Sequence, residues 1–402
     1  MNEGILSGVN VLDLTQLVAG PYCTKLLADY GAEVLKVERT DGGDPARRAG
    51  PFPNDIPHPE KSGRFLHLNT NKKGITLNLK TATGVKTIKE LVKEADILVE
   101  SFAPRVMPSL GLSYQELESI NPRLVMTSIT NFGQNGPYKD YKLTELLAVA
   151  MAGTAYPSGE GRHEREPLRY PGEMLQFYAG TTAAGATLMA YLNAQLTGEG
   201  QQVDISIIEP KLGAADRHLL GWEYSKVEPK REGPRREGRY LSGVYPCMDG
   251  FVTFMGGERF FPRVCKMIGM PELVDDPRFR TPVDRMNHHG DWDAIFFPWL
   301  VTHTMLEIVE TAQRERVACG AVYQAEDLFK DPNYRARDFF VEIDHPVAGT
   351  FEYPGPPIRM GEGEWQIRRP APLLGQHNEE IYCDVLGYSK EELVKLKQSG
   401  II

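Results

Sequence analysis

Side chains able to do chemistry are sparse in this chain, and their spacing excludes more than it supports. The densest group is His288-His289-Gly290-Asp291-Trp292-Asp293, which holds metal-ligand residue types. Adjacent histidines point apart on most backbones, and the spacing is poor for a ligand set, so the stretch reads as a solvated loop and no metal is expected. Cys23 follows the turn Leu17-Val18-Ala19-Gly20-Pro21 at a helix start, where a thiolate could be stabilised. Free cysteine is among the most buried residue types, which makes a structural thiol the plainer reading. The same turn lacks the GxGxxG of a dinucleotide fingerprint, and Walker A is absent. No GxSxG elbow supports Ser-His-Asp hydrolysis.

The elements that would position any site are clearer. Val9–Leu14 alternates and is β-rich, Tyr22–Tyr30 has helical spacing with Leu26 and Leu27 on one face, and Glu33–Glu38 is the next strand. This β-α-β unit implies a parallel sheet with a right-handed crossover. The alternation continues through strand Ile75–Leu79, helix Gly84–Glu94, strand Ile97–Glu100, helix Tyr114–Ile120 and strand Leu124–Thr130. The spacing therefore predicts a doubly wound α/β domain. Gly42–Gly63, rich in Pro, Gly and charge, reads as a long surface loop. Glu173–Ala194 is apolar and rich in small residues, as in a tightly packed helix, and Ile207–Tyr224 reads as a second long helix. Lys226–Arg239 has the Pro, Gly and charge content of a linker. Beyond it, Gly243–Met255 predicts a hairpin around Asp249-Gly250 that opens a smaller α+β domain. The tail, Tyr388–Ile402, predicts an amphipathic helix capped by Ser389 with Glu392 at the capping-box position.

A chain of 402 residues can bury two cores, and 41% apolar with 25% charged residues is ordinary for a globular protein. A net charge of −9 argues against nucleic-acid binding, which needs a positive surface, though it leaves room for a local basic site. Met1-Asn2-Glu3-Gly4 lacks a cationic start and apolar core of a signal peptide, and no apolar run is long enough to span a bilayer. Five widely spaced cysteines without a CxxC pair suggest reduced thiols and a cytoplasmic location.

Ordered segments along the whole chain resemble the class III CoA-transferases, the formyl-CoA:oxalate and carnitine type. They are Asp13-Leu14-Thr15 with Ala19-Gly20-Pro21, Gly31 to Glu38, Asn71-Lys72-Lys73-Gly74, Leu77 to Thr81, Ala95 to Phe102, Gly198 to Asp204 and Ala371 to Glu380. The resemblance implies a Rossmann-like large domain built from both chain ends plus a smaller α+β domain, in an interlocked-ring dimer. It places the large domain at 1–225, a linker at 226–239 that would embrace the partner, the small domain at 240–325 and a return segment at 326–402. The expected substrate is a coenzyme A thioester, with no covalently bound cofactor.

In the family an aspartate carboxylate attacks the thioester to give a mixed anhydride. Aligning Gln176-Phe177-Tyr178-Ala179-Gly180 on the family pattern puts Gln176 at that aspartate. An amide is a very weak nucleophile and cannot form the anhydride. Glu173 is the nearest carboxylate, but a shift of three residues moves it about 4.5 Å along a helix, beyond catalytic tolerance. Its plainer role is a helix N-terminal carboxylate. Ser109 stands where many relatives have a basic residue, and Thr144-Glu145 and Val149 stand for a Tyr-Asp/Glu pair and a downstream glutamine. Arg39 and Lys80 match positions that contact the CoA nucleotide in relatives, and are otherwise solvated surface charges. Val18, where relatives often carry a glutamine, belongs to the same expected CoA site. Met255-Gly256-Gly257-Glu258 corresponds to a glycine-rich loop that covers the aspartate in relatives.

The chain is thus similar to the aspartate-lacking subunit of heteromeric CoA-transferases of the succinyl-CoA:benzylsuccinate type, from anaerobic toluene degradation. That implies an aspartate-bearing homologous partner. The alternatives are a self-sufficient homodimer using Glu173 and an acyl-CoA-binding regulator.

Overall fold

The computed structural model describes residues 4–159, 165–213, 217–228, 231, 241–256, 258–361 and 365–402. The chain forms two compact units. The larger comprises Met1–Ala152, Tyr170–Leu220 and Asp338–Ile402, and the smaller Gly153–Arg169 and Gly221–Arg337. Most of the expected linker, like Gly257, lies outside the described residues. The return to the larger unit falls at Asp338 and not at 326. One cause is the Tyr323 hydroxyl, which donates to Asp331 at 2.8 Å and ties this stretch back to the smaller unit.

The larger unit is built on six parallel strands: β1 (Asn10–Leu14), β2 (Glu33–Glu38), β3 (Lys72–Thr76), β4 (Ile97–Glu100), β5 (Val125–Thr130) and β6 (Gln201–Ser206), in spatial order 3-2-1-4-5-6. That is the doubly wound order with its reversal point between β1 and β4. Helix α1 (Ala19–Asp29) links β1 to β2, α2 (Gly63–Leu68) precedes β3, and α3 (Ala82–Val92) leads to β4. The short helices α4 (Val106–Ser109) and α5 (Tyr114–Glu118) lead to β5. After β5 come α6 (Glu145–Met151) and the long α7 (Met174–Thr197).

β3 begins three residues earlier than its apolar pattern suggests, because Lys72 and Lys73 pair in parallel register with Val34 and Leu35. The edge of β3 is covered by the chain's return. Gly74 donates its N–H to His377 Nδ1, Thr76 donates to Asn378 Oδ1, and the Tyr382 hydroxyl donates to the Thr76 carbonyl. An edge strand with open N–H groups invites pairing with another chain, and the Pro372–Asn378 segment removes that hazard here. A π-helical turn at Glu380–Val385 and a terminal helix, with the expected Ser389–Glu392 capping box, finish the unit.

One expectation is corrected. Gly42–Gly63 is not a loose surface loop: Asp44, Ala46, Arg47 and Ser62 are buried. The Arg47 guanidinium donates to Glu38 at 2.7 and 2.8 Å, pairs with Glu60 at 2.6 Å and lies 3.7 Å over the Phe65 ring. Pairing lets charge go inside, which composition alone does not reveal. Of the expected second long helix, the described residues form α8 (Glu209–Gly213) and α9 (Arg217–Ser225), and 214–216 lie outside the described residues.

The smaller unit has an antiparallel sheet of β7 (Gly243–Pro246), β8 (Phe251–Phe254) and β9 (Cys319–Ala321), whose first two strands form the hairpin expected at Asp249-Gly250. Its core is aromatic, with Tyr245, Phe254, Phe261, Phe279, Trp292 and Phe296 buried together.

Candidate functional site

The turn after β1 is held by buried charge. Asp13 pairs with Lys72 at 3.0 Å and accepts from the Thr15 N–H and the Thr24 hydroxyl. Burial by itself would raise the Asp13 pKa, but Lys36, Lys72 and the hydrogen bonds from Thr15 and Thr24 together outweigh it and hold the carboxyl well below the usual range. Burial also brings Lys72 down to about 8, against the pull of Asp13. Lys36 pairs with Asp44 at 3.0 Å and donates to the Thr15 carbonyl. Asp44 in turn accepts the N–H of Leu17, whose φ of 67° turns the chain sharply into α1. The Asp13-Leu14-Thr15 motif is therefore a clamp on a turn, and Cys23 lies under it, fully buried, with its thiol pushed up to about 12 by that burial.

Close packing then places Gln176. A Cβ on Gly180 would sit 2.5 Å from the Ala19 carbonyl oxygen, and one on Gly20 would sit 2.3 Å from Thr15 Cβ. These two glycines let α1 approach both the β1 turn and α7. Tyr22 meets Phe177 edge to face at 4.8 Å, fixing the first turn of α7 above the β1–α1 corner. Glu145, at the start of α6, accepts the Leu175 N–H at 2.8 Å and caps α7 from outside. Burial raises the Glu145 pKa, with that backbone bond opposing it. The side-chain amide of Gln176 has no hydrogen-bond partner among the described residues.

Two cavities of the larger unit lie at the carboxyl ends of the strands, where open parallel sheets bind their ligands. One, of about 560 Å³, is lined by Arg39, Thr40 and Asp41 after β2, Asn78 to Lys80 after β3, and Phe102 and Ser109 beyond β4. The other, of about 250 Å³, is lined by Leu17, Ser101, Arg105, Asn131, the Lys139–Leu143 stretch and Gln176. Gln16 and Phe102 stand in the walls of both, so the cavities adjoin. Beneath the junction Glu100 is buried, its carboxylate accepting the Phe102 N–H at 2.7 Å. Burial pushes Glu100 up to about 7, opposed by Ser128 and that N–H.

The structure thus brings Arg39, Lys80 and Ser109 together in the larger cavity and sets Gln176 in the adjoining one. Arg39 pairs with Asp41 at 2.7 Å and is exposed, whereas Lys80 has no partner among the described residues. Val18 lines neither cavity: it is 2% exposed, and Gln16 presents a glutamine to both cavities from two residues upstream. Glu173 is also absent from both walls, and its carboxylate pairs with Arg64 at 2.8 Å. Thr144 lines neither cavity and Val149 is core. Gly256 lies in the smaller unit, where its carbonyl accepts from the Ser242 hydroxyl. The His288–Asp293 stretch is not a solvated loop: His289 opens a helix running to Leu300 whose Trp292 is buried in the aromatic core, while His288 and His289 are exposed, and no metal-holding group of His, Cys, Asp or Glu occurs among the described residues. Gln16, Arg105 and Asn131 escaped the reading of motifs, and Phe102 entered it only as the end of a matched segment. Their signal was position, directly after β1, β4 and β5 at the carboxyl edge.

A six-stranded parallel sheet in the order 3-2-1-4-5-6, with adjoining clefts along its carboxyl edge, defines a doubly wound α/β protein. The chain belongs to CoA-transferase family III, whose model matches residues 6–378. It is 33% identical over 406 residues to the succinyl-CoA–D-citramalate CoA-transferase of Chloroflexus aurantiacus, covering 99% of this chain and 98% of that one. It is 31% identical to the succinyl-CoA:glutarate CoA-transferase of Mus musculus, covering 99% and 90%. Against the formyl-CoA:oxalate CoA-transferase of Rhodopseudomonas palustris the identity is 32%, covering 99% and 97%. Among solved structures, a CAIB/BAIF family protein from Brucella suis superposes with a TM-score of 0.85 at 26% identity, covering 96% of this chain and all of that one. Rv3272 from Mycobacterium tuberculosis gives 0.78 at 26%, covering 94% and 99%. Members of this family take CoA thioesters as substrates and need no cofactor.

Proposed function

We propose that this chain is the non-catalytic subunit of a heteromeric class III CoA-transferase, acting in the cytoplasm beside a homologous subunit that carries the aspartate. The carrying observation is Gln176. It sits at the start of α7 in the wall of the smaller cavity, at the alignment position of the nucleophile, with a side chain that cannot form an anhydride. Glu173 as a replacement is disfavoured by its ion pair with Arg64 and its absence from the cavity wall. The adjoining cavities suit a CoA thioester, with its nucleotide near Arg39 and Lys80 and its acyl end toward Gln176.

The partner reading has its own support. Met189, Leu192 and Leu196 along α7 are 69, 60 and 78% exposed, and Leu146, Leu147 and Met151 of α6 are also exposed. An apolar stripe of this length on one helix is what an embracing second chain would cover. For substrates, the reading takes succinyl-CoA as donor and (R)-2-benzylsuccinate as acceptor. Leu17, Phe102, Ile129 and Leu143 give the smaller cavity an apolar side on which a benzyl group would rest. Native mass spectrometry of this chain co-expressed with an aspartate-bearing homologue should show a one-to-one assembly. Exclusive homodimers of both chains would overturn the reading.

A further inference from the structure

We propose that Asn135 is a self-modification site, at which the following glycine converts the asparagine to aspartate and isoaspartate and so adds a lasting negative charge to the loop that walls the Gln176 cavity. Asn135-Gly136 is the only Asn-Gly pair in the sequence. Residues 131–141, after β5, close on themselves as a compact loop. The Asn131 side chain donates to the Tyr141 carbonyl at 3.0 Å, and Phe132, Tyr138 and Tyr141 pack against one another. Both oxygens of Asp204 accept the Gln134 N–H, which anchors the first arm. Past that anchor the tip is open. Asn135 and Gly136 are exposed, and neither the Asn135 amide nor the Gly136 N–H has a hydrogen-bond partner among the described residues. By contrast, the side-chain amides of Asn69, Asn71, Asn121 and Asn378 are tied into the fold.

The reaction needs only water besides what the tip holds. The Gly136 nitrogen gives its proton to solvent base and attacks Asn135 Cγ; a C–N bond forms, ammonia leaves and a cyclic succinimide remains. Glycine permits this approach because it has no side chain to shield its nitrogen. Nothing lies within 4 Å of where a Gly136 Cβ would stand, so no neighbour blocks the ring. Water then opens the succinimide at either carbonyl. Breaking the bond from nitrogen to Cγ gives aspartate; breaking the bond to the main-chain carbonyl gives isoaspartate, whose backbone is one methylene longer. Each product places a new carboxylate on the loop that carries Lys139 and Lys142 into the cavity wall, offsetting part of its positive charge. The isoaspartate also lengthens the chain between two pinned points, Gln134 and Tyr141, so the slack falls on the stretch that holds Lys139.

The test is to age the full-length chain in mildly alkaline buffer, beside a urea-unfolded sample, and to map its peptides with fragmentation that separates aspartate from isoaspartate. The Asn135 peptide should gain one mass unit several-fold faster than any other asparagine peptide, with both products present. The folded chain should react nearly as fast as the unfolded one, since nothing at the tip has to open first. Isoelectric focusing of the folded chain should show an acidic band growing at the same rate, and Asn135→Ser should remove it. An Asn135 peptide that changes no faster than the others, many-fold protection in the folded chain, or an acidic band that persists in Asn135→Ser would overturn the proposal.

Discussion

Gln176 is uncharged and one methylene longer than aspartate, yet every contact that holds its backbone is in place. Gly180 lies against Ala19, Phe177 against Tyr22, and Glu145 caps the helix. Under the proposed function the change is a single functional group on an ordered helix start, which leaves the scaffold to serve assembly and binding. Glu100, below the cavity junction, gives a residue-level check on the electrostatics. Burial raises its pKa from 4.5 to about 7, so the native state holds a proton that the unfolded chain has lost. Stability therefore falls as pH rises between these values, and the full cost is present above them. Glu100→Gln should melt higher than the parent at pH 8, with the advantage shrinking by pH 5; thermal scans at both pH values measure it. A difference that does not change with pH would contradict the assignment.

At the scale of elements, the α1–α7 contact is the feature that aims Gln176. Alanine ordinarily improves a helix over glycine by about 1 kcal/mol, but overpacking against a backbone atom costs about 1–3 kcal/mol. Because the obstruction at Gly180 is the Ala19 carbonyl, Gly180→Ala should lower stability in urea denaturation. Gly185→Ala, on the same helix with nothing within 4 Å, should raise the stability of the unassembled chain by about 0.5–1 kcal/mol. The alternation of strands and helices was legible in sequence because buried parallel strands are apolar runs, as in Ile97 to Val99 and Leu124 to Met126. β6 was not legible as a strand. It is the edge strand beside β5, and Gln201, Gln202 and Asp204 break the apolar run. Of the site, motif matching located Arg39, Lys80 and Gln176. It assigned Val18 to the same expected site, whereas Val18 is buried outside both cavity walls and Gln16, before the Leu17 turn, lines both.

For the whole molecule, the exposed apolar residues of α6 and α7, together with Gln176, are the support for the homologous partner proposed above. A net charge of −9 is ill suited to nucleic acid, while the wall of the Gln176 cavity carries Arg105, Lys139 and Lys142 against Asp140. The most direct measurement is CoA transfer from succinyl-CoA to benzylsuccinate by the purified chain, alone and co-expressed with an aspartate-bearing homologue. The account predicts transfer only in the mixture, surviving Glu173→Ala in this chain. Transfer by this chain alone, abolished by Glu173→Ala, would contradict it and move the nucleophile to Glu173.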